Sequence, residues 1–374
     1  MESVLMFCMI FIGLILIFLG AKKRVEPLLL LPIGFGMIMA NIPGAEQSSL
    51  DDGCILSFFY QHGIKTVVLP CLIFFGIGAH TDFGPLIRNP RLIFFGAAAQ
   101  AGIFVTILGA LGLNYLGIDF TLMEAAATGI IGGADGPTSI FTATKLAPDL
   151  LGPISIAAYS YMALVPLIQK PVGLFFTSST QRKINMKEMD RQFGVPGNVT
   201  PLKKFLFPIF SVLIACILVP TATPLLGMLL FGNLIKETKL VVVDRRMVEV
   251  ARDTILNAST IILGLAIGGT MEADKFFQFK TIGILVLGVV AFAIGSASGI
   301  IGVHIHNIFA KKKINPLIGM AGVSAVPMSA RVVQDMGVHE DPNNNLLQYA
   351  MAPNVAGVIG SAVAAGFLLR FFMG

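Results

Sequence analysis

The sequence predicts an all-α polytopic membrane protein: two inverted repeats, each of five transmembrane helices plus one re-entrant or broken-helix hairpin. Three observations predict it. Mean hydropathy is +0.83 and only 13% of the 374 residues are charged, against about 25% in a soluble domain. Two apolar stretches are interrupted by glycine, proline and polar residues where a membrane helix should continue. Marker residues of the two halves recur at a near-constant distance: Gly78 and Gly268, Gly132 and Gly322, Pro137 and Pro327, Ser139 and Ser329, and Tyr159 and Tyr349 all stand 190 apart.

The crossings follow in order from apolar runs and from the excess of Lys and Arg in cytoplasmic loops. Residues 4–19 form the first span, which ends at Lys22-Lys23-Arg24. Its basic cluster follows the apolar run and Glu2 precedes it, so it reads as a retained helix rather than a signal peptide. Residues 27–42 lead to an external loop with Glu46, Asp51 and Asp52; residues 66–79 return to Arg88 and Arg91; residues 92–113 lead out to Asp119. The broken segment 121–144 comes next, then the span 153–176. The loop after that span holds Arg182, Lys183, Lys187, Arg191, Lys203 and Lys204 and must lie inside. That side is reached only if the broken segment enters and leaves on one face.

The second half repeats the pattern. Spans at 205–219 and 224–235 end at the internal loop with Lys236, Lys239, Arg245, Arg246 and Arg252; span 254–269 leads out to Glu272 and Asp274; span 282–303 returns to Lys311, Lys312 and Lys313. A second broken stretch, 315–331, an acidic linker from Asp335 to Asp341 and a last helix, 346–372, complete the chain. Five crossings per half is an odd number, so the second half is inverted and both termini are external. The boundaries are 1–178 for the first repeat, 179–204 for a cytoplasmic loop and 205–374 for the second repeat. Inverted repeats with discontinuous helices are a transporter architecture.

The first break reads Ile131-Gly132-Gly133-Ala134-Asp135-Gly136-Pro137-Thr138-Ser139. Proline removes a backbone donor and glycine weakens a helix, so the helix breaks here. Irregular backbone at membrane depth is tolerated where it lines a polar cavity, and a carboxylate there marks an ion or proton path. Asp135 is therefore the candidate cation site; a capped surface turn would share the same local pattern. The second break has Ala325 where the first has Asp135, but repeats the oxygens in Asn315, Ser324 and Ser329. One carboxylate with neutral oxygens suits a hard monovalent cation such as Na+, although Ser and Asn also serve as interhelical glue. Tyr161 carries a hydroxyl able to share the site or relay a proton, and a packed aromatic explains it equally well. Arg331 keeps its charge and forks onto carboxylates. The four cysteines, Cys8, Cys54, Cys71 and Cys216, have no metal or redox spacing. No zinc, phosphate-loop, dinucleotide or serine-hydrolase motif occurs. The net charge of +5 resides in loops and implies no nucleic acid.

With these motifs the chain resembles the integral-membrane beta subunit of the biotin-dependent, sodium-pumping decarboxylases. Gly132 to Thr138 carries the resemblance, with Thr81-Asp82-Phe83-Gly84-Pro85-Leu86, Tyr159-Ser160-Tyr161-Met162, Asn315-Pro316-Leu317-Ile318-Gly319 and Gly322 to Met328. It implies a subunit that decarboxylates carboxybiotin on a partner carrier and couples this to Na+ export, with a proton consumed. The resemblance carries the family's functional residues to Asp135, Tyr161, Asn315, Gly319, Ser324 and Arg331. Asp135, Tyr161 and Arg331 are then catalytic. Arg331 and Gly319 contact carboxybiotin, and Asp135, Asn315, Ser324 and Ser329 ligate Na+. The implied partners are a carboxyltransferase alpha subunit, a biotin carrier, a small membrane-anchored subunit and further copies of the beta subunit, in a bacterial cytoplasmic membrane. The short N-terminus is more like the members acting on CoA esters. The residues alone leave a second reading open, a plain secondary carrier exchanging sodium for protons or an organic anion.

Overall fold

The computed structural model describes residues 2–23, 27–43, 54–193, 199–238 and 243–374. Among these, every regular element is helical. The first half comprises α1 (Glu2–Lys23), α2 (Pro27–Ala40), α3 (Ile55–Phe59), α4 (Val68–His80), α5 (Gly84–Arg88), α6 (Ile93–Ala99), α7 (Ala101–Leu113), α8 (Leu122–Gly129), α9 (Gly136–Leu146) and α10 (Leu151–Phe176). A connection holds α11 (Ser179–Arg182) and α12 (Met186–Phe193). The second half comprises α13 (Pro201–Leu218), α14 (Thr223–Glu237), α15 (Val243–Glu249), α16 (Leu256–Gly269), α17 (Ala273–Phe276), α18 (Phe279–Phe309), α19 (Leu317–Met320), α20 (Met328–Glu340) and α21 (Leu347–Met373).

The two halves share an element order. A π-helical turn, Tyr60–Ile64, leads from α3 towards α4, and another, Val250–Ile255, joins α15 to α16 at the matching point. Matching contacts cross between the halves. The Asn41 amide donates to Met37 O (2.8 Å) and Met271 O (2.6 Å), and the Asn233 amide to Gly78 O (3.4 Å) and Thr81 O (2.9 Å). Thr81 and Met271 are themselves 190 apart. Helix α2 thus packs on α16 as α14 packs on α4. Glycine permits both approaches, because a Cβ at Gly78 would fall on Leu229 O and one at Gly268 on Ile33 O. Small residues at such crossings let membrane helices pack backbone to backbone.

Two bodies result. Helices α1–α4 and α13–α16 pack into one, and α6–α10 with α18–α21 into the other. In the second body α7 and α18 occupy matching positions and run antiparallel: Gly109 faces Leu287, Gly283 faces Leu113, and Gly302 faces Ala98 of α6. Salt bridges and backbone contacts mark the two ends. At the basic end Lys204 pairs with Asp82 (2.8 Å), Lys312 with Asp190 (2.6 Å) and Arg182 with Glu340 (2.5 Å). At the opposite end Lys280 pairs with Glu124 (2.8 Å) and Gly152 faces Thr270.

Several expectations are corrected. The third span is α4, as expected from 66–79, but α3 and its π turn precede it, and the two parts are bent by 66°. The run 92–113 forms one span, as expected, with a turn at Gln100 between α6 and α7. Helix α10 is bent by 62° between its Pro148–Met162 and Leu164–Phe176 parts, where Pro166 leaves the Met162 carbonyl without its helical donor. The acidic residues from Asp335 belong to α20, which continues to Glu340, rather than to a linker. Among the described residues six helices are long and apolar enough to cross a membrane, and eight if each bent pair counts once. Ten crossings require α2 and α14 to span as well, at 14 and 15 residues. The expected acidic loop with Glu46, Asp51 and Asp52, and Arg24 and Lys239, lie outside the described residues.

Candidate functional site

The first break folds as its composition dictates. Helix α8 opens with a capping box: Glu124 N–H donates to Thr121 Oγ1 (3.2 Å) and Thr121 N–H to Glu124 Oε2 (2.8 Å). The helix tightens into a 3-10 turn, Ile130–Gly133, and Ala134 takes the left-handed conformation at φ 61°. A non-glycine residue there is uncommon, and such strain concentrates at functional sites. Asp135 then caps α9, accepting from Thr138 N–H at 3.2 Å, and Pro137 sits in the first turn, where no donor is needed. The other carboxylate oxygen accepts from Ser361 Oγ of α21 at 2.7 Å. Asp135 is buried, and no cation side chain pairs with it among the described residues.

The second break meets the first at its tip. Ser324 N–H donates to Gly133 O at 3.0 Å. The Asn354 amide of α21 holds the same tip, donating to Ala321 O (2.9 Å) and Val323 O (2.7 Å). Gln100, at the α6–α7 turn, donates to Gly96 O (3.2 Å), Gly322 O (3.4 Å) and Gly357 O (3.3 Å). The Tyr159 ring lies over Gly136, in the space a Cβ would fill.

Four buried side-chain oxygens on these residues find no hydrogen-bond partner in the protein: Ser324 Oγ, Gln100 Oε1, Asn354 Oδ1 and Tyr159 OH. Leaving a buried polar group unpaired costs about 1–3 kcal/mol. Several such groups, on elements that converge around one buried carboxylate, form an oxygen-rich, singly charged nest. That donor set fits a hard monovalent cation.

The predicted residues divide. Asp135 and Ser324 are brought together through the contact between the tips. Asn315 is not: its amide donates to Arg182 O (2.7 Å) and Ile184 O (3.0 Å), its oxygen accepts from Leu317 N–H (3.1 Å), and it ties the basic end together. Ser329 Oγ receives the Gln169 amide at 2.6 Å, beside Ser296 and Met320. Gly319 is buried against Gly299 O of α18, where no side chain fits. The Tyr161 ring packs on Gly288 and edge-on to Phe292 (6.1 Å), and its hydroxyl donates to Leu285 O, away from Asp135. Arg331 is exposed on α20, one turn beyond the second tip, within electrostatic reach of His80 at the end of α4.

Ser361, Gln100, Asn354 and Tyr159 carry no assignment from the sequence. Gln100 and Asn354 had one available signal, a carboxamide inside an apolar run. A cavity of about 1060 Å³ opens at the basic end, lined by Arg88, Arg91, Lys204, Lys311, Lys312 and Asp190 among others, and does not include Asp135.

Comparison with known proteins gives a consistent result. The family described as "Na+-transporting oxaloacetate decarboxylase beta subunit" matches residues 5–372. The oxaloacetate decarboxylase beta chain of Haemophilus ducreyi is 49% identical over 97% of this chain and 94% of its own. Oxaloacetate decarboxylase beta chain 2 of Salmonella typhimurium is 46% identical over 98% and 94%. The methylmalonyl-CoA decarboxylase subunit beta of Veillonella parvula is 48% identical over 96% and 91%.

Proposed function

The chain belongs to the family of Na+-transporting oxaloacetate decarboxylase beta subunits, and on that premise we propose how its two broken hairpins turn decarboxylation into sodium export. It is the multi-pass membrane subunit of a sodium-pumping, multisubunit decarboxylase, not a stand-alone carrier. Asp135 holds Na+ with oxygens from both hairpin tips, and the observation that carries this is the cluster of unpartnered oxygens around that buried carboxylate. Carboxybiotin arrives on a partner carrier at the basic end, and Arg331 receives its carboxylate. Breaking the bond from nitrogen to the carboxyl carbon releases carbon dioxide and leaves the electron pair on biotin. One proton then restores neutral biotin. Tyr161 relays it once its bond to Leu285 O opens, giving its phenolic proton to biotin and taking one from solvent in return. The partners are a carboxyltransferase, a biotin carrier and a small membrane-anchored subunit.

The repeats are inverted in the membrane. The antiparallel course of α7 and α18, which hold matching positions, supports this, because the axis relating them then runs across the helices. The first hairpin begins beside Lys280 and is followed directly by α10 at Thr270, and the second ends beside Arg182. These contacts support re-entry from opposite faces, with the basic end in the cytoplasm of a bacterial cell. External thiol reagents should miss single cysteines placed at Lys187 and Arg246 and reach those at Asp51 and Glu272, once the native cysteines are removed. External labelling at Lys187 would mean that the first hairpin crosses fully.

The substrate class is the CoA esters. The methylmalonyl-CoA relatives of Veillonella and Propionigenium modestum align over 361 and 386 positions, whereas the two oxaloacetate relatives need 418 and 419. Those relatives therefore carry insertions that this chain lacks. The complex reconstituted in vesicles should take up Na+ when methylmalonyl-CoA is supplied on the carboxyltransferase side. Uptake driven only by oxaloacetate would overturn the substrate assignment, and decarboxylation without uptake would overturn the pump.

A further inference from the structure

We propose that the side-chain carbonyl of Gln100 is a ligand of the cation held at Asp135; this rests on Asp135 being the sodium site. Gln100 is buried where α6 gives way to α7. Its NH2 group faces three carbonyls, Gly96 O, Gly322 O and Gly357 O. Turning the amide over would set its oxygen against those three acceptors, so the network fixes which atom points where. The oxygen is thereby aimed at the first tip. It lies 3.2 Å from the position a Cβ on Gly133 would take, and Ser361 Cβ, whose hydroxyl holds Asp135, lies 3.1 Å from the same point. No donor in the protein meets that oxygen. A buried carbonyl dipole oriented by its own amide and left without a donor is a neutral ligand for a hard cation.

The proposal also accounts for an asymmetry. The positions 190 residues after Asp135 and Gln100 are Ala325 and Val290. The backbone scaffold is duplicated, but the carboxylate and the carboxamide occur once. One such site therefore forms at the junction rather than two. Because Gln100 also grips Gly322 of the second hairpin and Gly357 of α21, Na+ on its carbonyl draws on an amide that joins α6, the second tip and α21. That coupling gives Na+ a preference for the assembled arrangement of tips, which any conformational coupling requires.

The test is Na+ binding by isothermal titration to the purified complex, with Na+-dependent thermal stabilisation as a second readout; neither needs turnover. Gln100→Met has similar reach and no amide. It should raise the Na+ Kd by about tenfold or more, the range in which groups around a metal act, and reduce the preference for Na+ over K+. A Kd within about twofold of wild type would overturn the proposal, being far less than such a ligand is worth. Gln100→Glu keeps an oxygen at the same reach but sets a second oxygen against Gly96 O, Gly322 O and Gly357 O, so it loses the anchor and keeps the ligand: without Na+ it should melt earlier, as Gln100→Met does, while its Kd stays within about threefold of wild type. Equal losses in both variants would assign Gln100 to anchoring the tips alone, which also overturns it. If Gln100→Met does not fold, Gln100→Glu decides: a Kd within about threefold despite the lost anchor supports the ligand, and a Kd raised by about tenfold or more overturns it. Asp135→Asn separates this inference from its premise. If that variant still binds Na+, the premise fails; if it does not and Gln100→Met binds normally, only this inference fails.

Discussion

Asp135→Asn is expected to abolish Na+-dependent decarboxylation in a complex that still folds and inserts. Asparagine keeps the shape of the side chain: its oxygen can accept from Thr138 N–H, and its NH2 can donate to Ser361 Oγ, whose own proton then goes to Val358 O. What disappears is the only charge of the site. Groups that merely orient a metal ligand are worth about 10–100-fold in affinity, so removing the charged ligand should weaken Na+ binding by more than about 100-fold. The protein itself should lose little stability, because an unpaired buried carboxylate is costly to keep in an apolar interior. Na+ activation curves on purified variant and wild-type complexes, with a thermal melt to check folding, decide the matter. Near-normal Na+ activation would remove Asp135 from the ion path.

Arg331→Ala should raise the carboxybiotin concentration needed for half-maximal rate while leaving the Na+ Kd close to wild type. Arg331 is exposed, and no carboxylate pairs with it among the described residues. Truncating one partner of a charged, hydrogen-bonded pair costs about 2–5 kcal/mol when the pair is desolvated. For a guanidinium that solvent reaches, the lower limit applies, roughly 30-fold in apparent affinity. Arg331→Lys should fall between, since it keeps the charge but not the planar fork. The two variants are compared by varying carboxylated carrier at saturating Na+, and Na+ at saturating carrier. If Arg331→Ala lost Na+ affinity with unchanged use of carboxybiotin, the two roles would have to be exchanged.

The division of roles fits the packing. Arg331 lies on the body that contains both hairpins, and His80 on the body of α1–α4 and α13–α16. On the proposed roles, a carboxylate arriving at Arg331 sits on the hairpin body within electrostatic reach of His80, and Na+ at Asp135 sits between the hairpin tips. Relative movement of the bodies would change access to the first site, and the fit of the tips would change the second. A ligand shifts such an equilibrium only by the difference in its affinity for the two arrangements.

Hydropathy, helix-breaking residues and the distribution of Lys and Arg are local properties, and they were enough to determine the helical membrane class, the two breaks and the buried carboxylate at the first. The distance of 190 residues was legible for the same reason, because matching elements need matching glycines at crossings such as Gly78 and Gly268. Which oxygens meet Asp135 was decided only by tertiary packing. Asn315 and Asn354 carry the same carboxamide, yet Asn315 ties the basic end to Arg182 O while Asn354 binds the second tip. Tyr159 and Tyr161 are two residues apart on one helix and so point to different faces, and only Tyr159 lies against Gly136. Ser361 and Gln100 reach the first tip because α21 packs on α6 and both pack on the hairpins. The bilayer acts on each segment separately and selects what is apolar, so it leaves its signature in the sequence. The proposed cation site draws on side chains more than two hundred residues apart, such as Asp135 and Ser361, and their meeting depends on how the helices pack.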